Sequence, residues 1–226
     1  MALRQWAKPK PLVKRVEVGV TPEDGFGKAR TPSEPPGGDA SLMFGLFGKR
    51  DARQVPVDAL FARIAEASRQ PALYLGGGIP DSFEGRFESL TLHVFLVLRR
   101  LRELPAPAAD LAQDLVDACF AYLELGFRNA GISDIAVPKR MKKIGQMFYG
   151  RVRAYETALE TGAPQDLIEA LRRNASPAED GSQGALLLAA YADRAQAHLA
   201  GLDLNAILNA DLLFPAPVEL EASHDA

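Results

Sequence analysis

Val137-Pro138-Lys139-Arg140-Met141-Lys142-Lys143-Ile144-Gly145-Gln146-Met147-Phe148-Tyr149-Gly150-Arg151-Val152-Arg153-Ala154-Tyr155 is the stretch from which the fold is read. Met141, Ile144, Phe148, Val152, Tyr155 and Leu159 recur at steps of three and four, the spacing that lines one side of an α-helix. Lys139, Lys142, Lys143, Gln146 and Arg153 fall on the opposite side of the same wheel. Pro138 suits the first helical turn, where a missing N–H costs nothing. The spacing predicts a helix that buries its apolar side and turns its basic side outward.

Charge is concentrated here. The stretch holds six cations (Lys139, Arg140, Lys142, Lys143, Arg151 and Arg153) and no acid before Glu156. Taking six positive charges from a net charge of −3 leaves −9 for everything else. Two readings of the basic side stand: a solvated helix face, or a surface for something anionic such as RNA, a lipid headgroup layer or an acidic partner.

Upstream, Asp81-Ser82-Phe83-Glu84 reads as a helix start with an acid as N-cap and a glutamate three residues on. The run from Phe87 to Leu101 is apolar nearly all round, which places that helix at the centre of a bundle. His93 inside it reads as a hydrogen-bonded core residue. Pro105 and Pro107 end the run. Asp110 to Leu125 carries two apolar stripes and so faces two neighbours, and Gly126 to Gly131 reads as a turn-like link. Downstream, short helices are expected around Leu167–Asn174, Ala185–Leu199 and Leu202–Leu213. No stretch alternates as a strand does. The expected class is all-α, a single helical bundle of about six to eight helices spanning residues 57–215.

Residues 1–56 and 216–226 are expected to be a disordered extension and tail, because prolines, glycines and charges there follow no period. Met43 reads as a natural start. A leucine-glycine segment, Leu75-Gly76-Gly77-Gly78-Ile79, lacks the lysine and hydroxyl of a phosphate loop and reads as a flexible connector. No apolar run approaches the ~20 residues of a membrane span, and Cys119, the one cysteine, reads as a buried small apolar residue.

Catalytic signals are few. His93, His198 and His224 are scattered, paired metal-ligand spacings are missing, and helix capping accounts for Asp81 and Glu84. A binding protein without cofactor or metal is the expectation. A helical enzyme acting on a prenyl- or quinone-like substrate ranks behind it, since no metal-binding acid pair is present.

Three blocks together resemble the ubiquinol–cytochrome c chaperone family, helical assembly factors for ubiquinol–cytochrome c reductase (complex III). They are Pro80–Glu88 running into Leu92–Leu101, Gly131–Lys143, and Phe148-Tyr149-Gly150-Arg151 with Ala154-Tyr155. The resemblance implies a chaperone that binds newly made cytochrome b for haem insertion and assembly. It also implies a peripheral place at the inner face of the plasma membrane, a small partner subunit, and contact with the ribosome. Lys139, Arg140, Lys142, Lys143, Arg151 and Arg153 then become candidates for ribosomal RNA or lipid headgroups, with Tyr149 for stacking or interface anchoring. Asp81, Gly85 and Arg86 become candidates for a client or partner groove. The link Leu125–Ala130 lacks the acidic residues expected of the family. The competing reading is an RNA- or ribosome-binding module with no membrane-protein client.

Overall fold

In chain order the helices are α1 Ala40–Ala67, α2 Pro71–Leu75, α3 Phe83–Glu103, α4 Ala108–Asn129, α5 Val137–Glu160, α6 Pro164–Asn174, α7 Gly181–Ala200 and α8 Leu204–Asn209. This computed structural model describes residues 40–177, 181–209 and 213–217, with side chains from residue 54 onward except those of 181 and 182. Eight helices and no strand occur among the described residues, so the chain is all-α.

Helix α3 is the axis. Every residue from Phe87 to Leu98 is buried, and α1, α4, α5 and α7 all pack on it. Burying apolar side chains at ~25 cal/mol per Å² is what holds such a helix at the centre. Ser82, rather than Asp81, is its N-cap: the Ser82 hydroxyl accepts from the Gly85 backbone N–H at 3.1 Å. Asp81 is left for Arg86. At the other end Arg100 donates to the Leu202 carbonyl at 2.8 and 3.0 Å, fastening the α7–α8 connection.

Two connections depart from the sequence reading. Helix α4 continues through Gly126 to Asn129, because burying Phe127 offsets the ~1 kcal/mol that a helical glycine costs. It ends at Gly131, whose φ of 76° permits the left-handed turn. There the Ile132 N–H bonds the Phe127 carbonyl (3.1 Å) and the Gly131 N–H bonds that of Arg128 (3.0 Å). The glycine segment after α2 is not a loose connector. It crosses the start of α7 so closely that a Cβ on Gly184 would sit 2.8 Å from the Gly77 carbonyl oxygen, which gives this glycine within α7 a packing role. Helix α1 carries Pro56 inside it.

The expected extension falls largely on residues 1–39, outside the described residues, as does the tail from residue 218 on. Within the described part, Arg194 donates to the Ala216 carbonyl at 2.6 Å and Phe214 packs edge-on against His93.

Candidate functional site

Helix α5 follows its wheel. Ile144, Phe148 and Tyr155 are buried, and Met141, Val152 and Leu159 pack half-buried against the core. Lys139, Lys142, Lys143, Gln146 and Arg153 are exposed. None of these four cations takes a carboxylate among the described residues. The charge order along α5 is the reverse of what a helix favours: its first turn has no acid and its last turn no base. Helices α3 and α6 have the favourable order, acid first and arginines last. Four cations crowd the first two turns of α5, so helix stability does not explain them.

Arg151 departs from the expected outward surface. It reaches across to α3 and bonds the Glu88 carboxylate, which is 4% exposed, with its Nε at 2.9 and 3.0 Å and its Nη2 at 2.9 Å. Burial raises the Glu88 pKa, and the Arg151 contacts pull the other way. One turn beyond, Glu156 takes both Arg99 (2.5 Å) and Arg102 of α3. These two clusters staple α5 to the central helix. Tyr149 does not stand clear between cations either. Its ring stacks on Phe120, with centroids 6.2 Å apart and planes at 22°, and only 37% of it is exposed.

A groove of about 690 Å³ opens between α1, α3, α4 and α5. Its floor is apolar, built from Phe87, Leu90, Leu123, Phe127, Ile132 and Ile144. The turn that closes α4 delivers two of these, since Phe127 and Ile132 are the residues joined across Gly131. Phe83, 45% exposed, and Tyr122 form apolar lips. The rim is cationic: Arg69, Arg86, Arg140 and Lys143 stand there with Glu84, and Asp81 pairs with Arg86 beside it. Arg140 lies over the Phe127 ring, 5.9 Å from its centroid, and Arg69 over that of Tyr122 at 5.7 Å. Such a channel suits an apolar segment whose flanks carry negative charge.

The three expected groove residues separate. Arg86 is on the rim. Asp81 bonds Arg86 at 2.7 Å, and that contact lowers the Asp81 pKa. Gly85 is buried beneath Pro80, where an added Cβ would lie 1.9 Å from a carbonyl oxygen, so its part is packing rather than contact. Of the basic set, Arg140 and Lys143 line the groove, while Lys139, Lys142 and Arg153 face away. The sequence reading missed Phe83, Tyr122, Leu123 and Phe127. The two stripes of α4 do meet two neighbours, Tyr122 against Phe61 of α1 and Phe120 against Phe148 of α5, and the cleft opens between those contacts, where neither stripe marks it.

His93 is wholly buried. Its Nδ1–H donates to the Ser89 carbonyl at 2.8 Å, so Nε2 accepts from the Tyr191 hydroxyl, also at 2.8 Å. Burial lowers its pKa to about 4. Cys119 is buried as expected, and burial pushes its thiol up to about 12. No group of three or more His, Cys, Asp or Glu side chains converges among the described residues, and no helix there is long and apolar enough to cross a membrane.

A family model described as ubiquinol-cytochrome C chaperone matches residues 76–214. That span contains the central helix, the α4 turn and the basic helix. Among solved structures, the crystal structure of the Cbp3 homolog from Brucella abortus is similar at 34% sequence identity and a TM-score of 0.67, covering 78% of this chain and 98% of that one. A comparison with curated proteins gave no match.

Proposed function

The chain belongs to the ubiquinol–cytochrome c chaperone family, and on that premise we propose that it binds newly made cytochrome b and supports assembly of ubiquinol–cytochrome c reductase. The observation that carries this reading is the groove: an apolar floor open along α3 and α4, lipped by Phe83 and Tyr122, with four cations on its rim. A membrane protein not yet packed with its partners presents long apolar segments that aggregate in water. An apolar channel shields such a segment, and binding needs no bond making or breaking.

The rim adds selectivity. Arg69, Arg140 and Lys143 attract acidic flanks and discourage basic ones, Arg86 being already paired with Asp81, so the groove prefers one kind of segment end. The stapling of α5 to α3 through Glu88 and Glu156 keeps the two walls at fixed separation, which limits the reorganisation cost of binding.

Deletion of the gene tests the proposal in the cell. Loss of the haem b absorbance of the reductase, with cytochrome b degraded, is the expected result, reversed by the intact protein and not by a variant with a blocked groove. Normal reductase and cytochrome b levels after deletion contradict it.

A further inference from the structure

Ile135 stands just ahead of α5 with 93% of its surface exposed, the most exposed of the large apolar residues described. A single exposed apolar side chain is ordinary on a protein surface, so what matters at Ile135 is its place beside a cationic stripe. The helix that follows presents Lys139, Lys142, Lys143 and Arg153 along its outward side, a stripe about 21 Å long at 1.5 Å per residue. The carboxylates at either end are engaged elsewhere. Asp134 bonds Arg128, which also holds Glu124, and Glu156 bonds Arg99 and Arg102. Between them, residues 138–155 contain no acid. The cations of the stripe are therefore unopposed along the helix itself, on a chain whose net charge is negative.

We propose that Ile135 together with the Lys139, Lys142, Lys143 and Arg153 stripe docks on an anionic phospholipid bilayer, the isoleucine entering the headgroup layer and the cations lying along it. Each cation near such a surface contributes attraction, and a single apolar tip adds depth without a membrane span. The same charges suit RNA, but two features favour lipid. Bare RNA offers an exposed isoleucine no apolar layer to enter, and the one exposed aromatic ring of this helix, Tyr149, has its face against Phe120. Arg140 and Lys143 stand at the edge of the stripe and on the rim of the groove at once, so docking brings the groove mouth to the bilayer. The inference rests on the chaperone reading only for what the groove receives there.

The full chain is measured with vesicles of phosphatidylcholine, with and without phosphatidylglycerol, at low and high salt, with no client present. Binding to the anionic vesicles alone, weakened by salt, is expected. Lys139/Lys142/Lys143→Glu weakens it on the order of 100-fold, and Ile135→Ser by about tenfold, with melting temperatures unchanged. In a Trp6→Phe background, emission of the Ile135→Trp protein shifts to the blue on anionic vesicles and is quenched by brominated lipid. No vesicle binding, binding indifferent to both sets of substitutions, or salt-sensitive binding to single-stranded RNA without vesicle binding overturns the proposal. Because the assay omits client, its failure leaves cytochrome b binding in the groove a separate question.

Discussion

Arg151 of α5 bonds both carboxylate oxygens of Glu88, a residue of α3 that is almost fully enclosed. The pair fixes the angle at which the basic helix crosses the central one, and with it one wall of the groove. Removing the cation alone strands a buried carboxylate. Arg151→Met is expected to destabilise the fold by about 3 kcal/mol, while Arg151→Met with Glu88→Gln recovers a large part of that loss. Chemical denaturation of the three proteins measures it, and equal losses in single and double variants contradict the assignment.

His93 sets an acid limit on stability. Its folded pKa is about 4 against 6.5 for a free histidine, because burial disfavours the charged ring. Between those values the unfolded chain binds a proton that the folded one refuses, so stability is present above about 6.5 and falls as pH drops toward 4. The fall amounts to about 3 kcal/mol. His93→Gln is expected to flatten this part of the stability–pH curve while lowering stability at neutral pH, since the Tyr191 hydroxyl loses its acceptor geometry. An unchanged slope in the variant rules the assignment out.

Gly85 answers to packing. Any side chain there meets the Pro80 carbonyl, so Gly85→Ala is expected to cost about 1–3 kcal/mol through displacement of the α3 start. Pro80 and Phe83 move with it, and client binding declines in proportion to unfolding rather than ahead of it. Thermal melts run beside a binding assay separate the two.

Groove contacts behave in the opposite way. Phe83 and Arg140 are exposed, so Phe83→Ser and Arg140→Glu are expected to leave the melting temperature within a few degrees and to weaken client capture by about tenfold each. Capture of cytochrome b during cell-free synthesis, measured against intact protein, checks this. Undiminished capture by both variants argues against the groove.

The central helix and the orientation of α5 were legible in the sequence because each is a one-dimensional pattern. A run apolar nearly all round from Phe87 to Leu101 has one physical resolution, and three-and-four spacing from Met141 to Leu159 has another. Arg151 was not legible. It lies at the edge of the wheel between the two faces, and Glu88, which decides its direction, is 63 residues away in the chain. The Gly126–Ala130 segment misled for a related reason: glycine spacing reports local turn preference, whereas Phe127 is held helical by burial across the bundle. The groove itself has no linear signature. It forms where α1, α3, α4 and α5 fail to close on one another, and its floor residues look in sequence like any other core positions. Arg86 and Lys143 could be named in advance as candidates, but not the cleft between them.

The most direct measurement places a photo-crosslinking amino acid at Phe83, on the groove lip, and separately at Leu186, an exposed apolar position on α7 that does not line the groove. Irradiation during synthesis of cytochrome b is predicted to join the two proteins from position 83 and not from position 186. Crosslinks from 186 alone, equal yields from both, or none from 83 with the protein folded would contradict the claim that this groove receives cytochrome b.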